Sequence, residues 1–283
     1  MRVASAAAQA LTRPELLAAA VPLARQAARR LMELRETPLS KERKADHSIV
    51  TNADREADRL LRDGLRLAFP SHAILTEESG LEGRAETEFV WVVDPLDGTR
   101  AYVHGRAGFS VMVGLLREGR PYAGIVVDPC EGHLFEAVVG HGAYHELDGR
   151  RTRVMVSARS DLGAMPVITS TGFPHALQRD IQAQVRTGPW LEPVNSVGIK
   201  VGYLVRRLAD IYINHHAVHY WDTCAPQVIL EEAGGCFTYT DGSPLVYDLS
   251  GNHRHPLSTL ATNNRRHAEL IQVVRPLFGA PEA

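Results

Sequence analysis

Hydrophobic and polar positions fall into two regimes along this chain. Over Pro14–Arg35 apolar residues recur with a helical period. Leu16, Leu17, Val21, Leu23, Ala24, Ala27, Leu31 and Leu34 fall near one face and arginines near the other. Pro22 interrupts the run, which predicts a kink or a later start. Thr37–His47 is polar and reads as a loop. A second helical period covers Asp54–Phe69, with Leu60, Leu61, Leu65 and Leu67 as its apolar positions and Pro70 as its stop. Ala73–Leu75 reads as a short strand, and Val90–Val93, with Trp91 inside it, as a buried one. Phe109–Leu116, Tyr122–Asp128 and His133–Val139 then form a meander punctuated by Gly119, Pro121, Pro129 and Gly132. Arg153–Ser157 closes that half. Beyond it the elements alternate. Strands are predicted at Val167–Ser170, Asp210–Asn214, Cys236–Tyr239 and Thr259–Thr262. Helices are predicted at His175–Val185, Gly198–Arg207, Thr223–Ala233 (ended by Gly234-Gly235) and Arg266–Val274. The pattern predicts an α/β chain of two packed subdomains, residues 1–155 and 156–283.

The buried strand runs into Asp94-Pro95-Leu96-Asp97-Gly98-Thr99. Pro95 fixes φ and bends the chain between the two acids. Carboxylates that close repel unless a cation sits between them, and a divalent ion is the natural partner. Gly98 and Thr99 permit a tight turn with free N–H groups, an anion site. Cation and anion together at a strand end suggest phosphate chemistry. Other acids share the habit of standing at element ends: Asp54 at the start of a helix, Glu77 and Glu78 after a strand, Asp222 just before a helix. Each alone reads equally well as a helix cap or a solvated end.

Composition narrows the classes. With 283 residues and a formal charge of -2, the chain has room for one or two domains and carries no basic stripe for nucleic acid or membrane lipid. No apolar run approaches the ~20 residues of a membrane span. Gln9, Thr12, Arg13 and Glu15 interrupt any signal-peptide core, so a cytoplasmic protein is expected. Cys130, Cys224 and Cys236 are odd in number and lack a C-x-x-C pair, which argues against a disulfide framework or zinc ribbon.

Taken together, Glu77-Glu78-Ser79, Asp94-Pro95-Leu96-Asp97-Gly98-Thr99 and Trp221-Asp222-Thr223-Cys224-Ala225-Pro226 with Gly234-Gly235 resemble the inositol monophosphatase superfamily, in order and spacing. The likeness runs from about residue 44 to residue 265. It implies a layered αβαβα sandwich, usually a homodimer, and a Mg²⁺-dependent, Li⁺-sensitive phosphomonoesterase with two or three Mg²⁺ per active site. Carried over by position, Glu77, Asp94, the Leu96 carbonyl, Asp97 and Asp222 would hold the metal. Thr99, paired with Asp54, would orient and deprotonate the attacking water, while the Gly98 and Thr99 N–H groups take a phosphate oxygen. Arg100, Ser196, Lys200 and His215 complete the expected substrate contacts.

Within the superfamily, Lys44-Ala45-Asp46-His47-Ser48, Thr51-x-Ala53-Asp54, Arg100 after Gly-Thr, Gly198-Ile199-Lys200 and the Trp221–Pro226 run look most like the 3′(2′),5′-bisphosphate nucleotidase branch. That likeness implies hydrolysis of adenosine 3′,5′-bisphosphate to AMP and phosphate, with Lys200 reading the second phosphate. His215 stands where the inositol enzymes carry an acid that contacts a sugar hydroxyl. Ala101 and Ile49 depart from the nucleotidase pattern. The alternatives are an inositol-1-monophosphatase or broad sugar-phosphate phosphatase of the same superfamily and, outside enzymes, a phospholigand-binding module. A haloacid-dehalogenase phosphatase sets its two acids closer together on one side of the strand, the first as nucleophile. A cysteine phosphatase needs an arginine that follows none of the cysteines at the right distance, and a P-loop is absent.

Overall fold

The structure, a computed structural model, describes residues 13–43 and 49–278. The Lys44–Ser48 stretch and the residues before Arg13, with Gln9 and Thr12 of the targeting argument, lie outside the described residues.

The chain opens with α1 (Arg13–Arg35), β1 (Lys41–Arg43), β2 (Ile49–Thr51), α2 (Asn52–Ala68), β3 (Ala73–Thr76), β4 (Gly80–Glu82) and β5 (Phe89–Asp97). A one-and-a-half-turn helix, α3 (Thr99–Val103), leads to β6 (Ser110–Arg117), β7 (Arg120–Asp128), β8 (His133–Val138), β9 (Ala143–Leu147) and β10 (Arg150–Val154). The remainder is β11 (Val167–Thr169), α4 (His175–Gln184), α5 (Val197–Val205), β12 (Ile211–Ile213), α6 (Tyr220–Glu232), β13 (Cys236–Tyr239), β14 (Thr259–Thr262) and α7 (His267–Val274).

Strands β3 to β10 form one eight-stranded sheet in the order β10-β9-β8-β7-β6-β5-β3-β4. Strands β11 to β14 form a four-stranded sheet in the order β11-β12-β14-β13. Both faces of the large sheet are apolar. Trp91, Val93, Val111, Val113 and Ile125 pack beneath α1 and α2, while Val90, Val92, Met112 and Val126 pack beneath α5 and α6. The same middle helices meet the inner face of the small sheet through Ile168, Tyr212, Phe237 and Ala261, and Val167, Ile211, Ile213 and Leu260 on its outer face pack with Leu270 and Ile271 of α7. Helices and sheets therefore alternate as αβαβα, the expected architecture. Periodicity located most strands but missed β4, β9 and β10, whose half-exposed residues carry little hydrophobic signal. It also missed β1, inside the stretch read as a loop, and its partner β2 just beyond that stretch.

Helix faces differ from the expected ones in detail. Helix α1 runs unbroken through Pro22, and its buried seam is Leu16, Ala20, Ala24, Ala27, Ala28, Leu31 and Leu34. Small residues on that seam let α2 come close. Leu67 is 87% exposed, because the α2 face that meets the sheet is Ala53, Ala57, Leu61 and Leu65. Both α2 and α6 start two to three residues before the sequence pattern suggested.

Helix α6 lies unusually close to the large sheet. Gly114 and Gly124 are cross-strand partners, and a Cβ on either would come within 2.5 Å of Cys224 Sγ or 2.4 Å of Ala225 O. Bare glycines are needed there for α6 to rest on the strands, which sets its first turn, with Asp222, beside the end of β5.

Candidate active site

A strand turns successive side chains to opposite faces, so Asp94 and Asp97 in an unbroken β5 would point apart. They do not, because the β5–β6 register shifts between them. Asp94 pairs with Met112 and Asp97 with Ser110, so β5 carries one extra residue at Pro95-Leu96. This bulge restores both carboxylates to one side. Gly98 then takes φ +95, and a Cβ there would meet Gly108 O at 2.7 Å. Only glycine fits, and the chain reverses into α3.

Asp94, Asp97 and Asp222 each offer a carboxylate oxygen, all within 4.8 Å of one another. Asp94 is 1% and Asp97 7% exposed. Glu77, in the turn after β3, lines the same cleft as Leu96 and these three. Burial, then the neighbouring Glu77, Asp97 and Asp222 charges, push the Asp94 carboxyl well above the usual range; Asp222 is raised in the same way by burial, Asp97 and Glu77. Asp97 is also raised by burial, against the opposing pull of Lys200 and a hydrogen bond from Ser196. Crowded, buried carboxylates with hard oxygen donors and a backbone carbonyl fit a Mg²⁺ ion well. Relieving their repulsion should stabilise the fold. Mg²⁺ added after EDTA treatment is expected to raise Tm by several degrees, read by thermal unfolding, and an unchanged Tm would argue against the cluster as a cation site.

Each acid is oriented by hydrogen bonds to one of its oxygens, local for Asp94, Asp222 and Asp54 and from the start of α5 for Asp97. Asp94 Oδ1 accepts from Leu96 N at 2.9 Å. Asp97 Oδ2 accepts from Ser196 Oγ at 2.6 Å and Gly198 N at 3.2 Å. Asp222, in the first turn of α6, accepts from His219 N at 2.6 Å. Asp54 occupies the same place in α2. Its Oδ2 accepts from Thr51 N at 2.7 Å and Thr51 Oγ1 at 2.6 Å, which leaves Oδ1 to accept from Thr99 Oγ1 at 3.0 Å. The capping and functional readings of these acids are thus compatible: one oxygen closes the helix and the other faces the site. Burial raises the Asp54 carboxyl, against hydrogen bonds from Thr51 and Thr99.

The cleft, about 870 Å³, brings Glu77, Asp94, Leu96, Asp97, Gly98, Thr99, Arg100 and Asp222 together. Three expected substrate contacts stand elsewhere. Lys200 is fully buried, and its ammonium donates to Ser170 Oγ at 2.9 Å, Val194 O at 2.9 Å and Asn195 O at 2.7 Å. With its three N–H donors committed, it has none for a second phosphate. Ser196 is buried at the start of α5, where its hydroxyl accepts from Ile199 N at 3.1 Å and serves Asp97, not substrate. His215 packs edge-on against Phe173 at 5.4 Å, because strand alternation sends Tyr212 and Asn214 inward and His215 outward; His216 and His219 line the cleft instead. Arg254 on the cleft wall was also missed. It lies far downstream of the motifs in a polar loop, and nothing local marks it.

A protein-family model described as the inositol monophosphatase family matches residues 13–276. The chain belongs to the inositol monophosphatase family. Members of this family are in general Mg²⁺-dependent phosphatases. Among relatives, the Nus factor SuhB of Pasteurella multocida is 32% identical over 82% of this chain and 85% of that protein. The inositol-1-monophosphatase of a Synechocystis species is 32% identical over 80% and 76%. The solved structure of Staphylococcus aureus inositol monophosphatase-II with 2′-AMP bound superposes with TM-score 0.74 at 26% identity, covering 93% of this chain and 95% of the other. Among the described residues no helix is long and apolar enough to cross a membrane.

Proposed function

We propose that this chain hydrolyses small phosphate monoesters, with Mg²⁺ held by Glu77, Asp94, the Leu96 carbonyl, Asp97 and Asp222. The carrying observation is the Asp54–Thr99 hydrogen bond at 3.0 Å, set on the rim of the carboxylate cluster. The ion, when bound, supplies positive charge to the phosphoryl oxygens and the leaving oxygen. Thr99 Oγ1 takes a proton from the attacking water as its own passes to Asp54 Oδ1. Burial makes that carboxylate the more basic acceptor. The water oxygen bonds to phosphorus, the ester P–O bond breaks, the leaving alkoxide takes a proton from a solvent water, and Asp54 returns its proton to solvent. The Gly98 and Thr99 N–H groups and Arg100 orient the phosphate. Thr99→Val is expected to lower kcat by about 10²–10⁴, the usual worth of a positioned base, with little change in KM. A kcat within threefold of wild type, on the order of 0.6 kcal/mol, would remove the pair from the mechanism.

Within this chemistry the adenosine 3′,5′-bisphosphate reading loses Lys200 and keeps Arg100. The inositol 1-phosphate reading draws on the Synechocystis relative's name. Phosphate release with Mg²⁺, measured from both esters side by side with and without Li⁺, tests the proposal. Release from neither would overturn it, and the kcat/KM ratio decides between the two substrates.

A further inference from the structure

Lys200 leaves the cleft without the cation expected to read a second charge, and another cation stands in the wall. Arg254 is exposed, lines the cleft, and has no carboxylate partner among the described residues. The loop that carries it is tightly held. His255 N donates to Val218 O at 2.8 Å, Tyr220 N donates to His253 O at 2.9 Å, and Arg254 pairs directly across from His219. His253 accepts a left-handed φ of +58, an uncommon backbone state for a residue other than glycine.

The anchor is His255, 1% exposed among the rings of Tyr220, Tyr239 and Tyr247. Both of its ring nitrogens are engaged, Nε2 with Thr223 Oγ1 at 2.7 Å and Nδ1 with Tyr239 Oη at 2.8 Å. Burial holds its pKa down at about 3, so it is neutral and adds no charge to the cleft. A buried, fully bonded histidine and a left-handed residue thus flank an arginine whose backbone N donates to Asn252 Oδ1 at 3.2 Å and whose guanidinium bonds to no described side chain. Burial, then the His215 and Lys200 charges and last that of Arg254, lower the His216 pKa to about 4, so the Arg254 charge reaches the cleft wall.

We infer that Arg254 reads a second anionic group on the leaving-group side of the substrate, and that His255 is the positioning residue that holds it there. The inference rests on the phosphatase reading above. An arginine fork suits a phosphate or carboxylate better than a neutral polyol. It follows that the preferred esters carry an anion besides the phosphate being cleaved.

The test uses matched pairs: adenosine 3′,5′-bisphosphate against adenosine 3′-monophosphate, and fructose 1,6-bisphosphate against fructose 1-phosphate. Wild type is expected to favour the doubly anionic member of at least one pair tenfold or more in kcat/KM. Arg254→Gln is expected to cut that ratio at least tenfold, and Arg254→Lys to restore part of it. His255→Leu removes no charge, so it is expected to lower the same ratio, and the double variant to lower it no further than Arg254→Gln alone. If His255→Leu does not fold, the wild-type and Arg254→Gln ratios still decide the role of Arg254. A wild-type ratio near one in both pairs, or an equal loss on both members in Arg254→Gln, overturns the inference and leaves the phosphatase standing. No phosphate release from any ester overturns both.

Discussion

Asp97→Asn lowers kcat by about a thousandfold or more at saturating Mg²⁺, an expected loss of about 4 kcal/mol of transition-state stabilisation. The size follows from where Asp97 sits. It is one of the three carboxylates whose oxygens lie within 4.8 Å of one another, and it is 7% exposed. Its Oδ2 also accepts from Ser196 Oγ and Gly198 N, so its geometry is fixed by α5. An asparagine keeps the volume and loses the charge. Steady-state rates across a Mg²⁺ titration give the answer. Near-normal turnover at high Mg²⁺ would take Asp97 out of the metal site.

Lys200→Met is expected to cost about 3 kcal/mol of stability, because it leaves three part-buried acceptors without a donor even as it removes a buried charge. Those acceptors, Ser170 Oγ, Val194 O and Asn195 O, belong to segments that wall the cleft. Lys200 thus staples the loop before α5 to the end of β11. Urea unfolding measures the loss, and kcat/KM should fall alike for mono- and bisphosphate esters. Unchanged stability with a selective loss on bisphosphates would restore Lys200 as a substrate contact. The pH dependence gives a second check. Burial lowers the Lys200 pKa from 10.5 to about 8, against the opposing charges of Asp97 and Asp222. Between those values the unfolded chain holds a proton that the folded lysine has released, so this group adds stability as pH rises through that window. The wild-type stability curve should therefore rise more steeply there than that of Lys200→Met.

The sequence carried most of the architecture, since amphipathic periods and strand-length apolar runs are local properties. It was weakest where elements are half exposed, as in β9 and β10, or where a face is chosen by packing, as with Leu67. For the site, the acids were legible because paired carboxylates at strand and helix ends have few purely structural uses. Their partners were less so. Thr51 as the clamp on Asp54 and Ser196 as the clamp on Asp97 are separated from the site logic by hydrogen bonds that no spacing rule announces.

The sequence by itself determined which residues are acids, where Gly98 and Pro95 bend the chain, and the order of helices and strands. Only the tertiary structure decided how these face each other. The extra residue in β5 puts Asp94 and Asp97 on one side, an outcome of strand register that depends on β6. Alternation in β12 turns His215 away and Asn214 inward, because the apolar residues Ile211 and Ile213 must face α7 and its neighbours. Lys200 looked like a cation for substrate, yet lies buried because two carbonyls of the loop before α5 and the Ser170 hydroxyl converge on it. Arg254 looked like one more loop residue, yet a histidine buried beside α6 brings it to the cleft. A charge's role depends on its partners, and its partners are set by contacts made after the chain has folded.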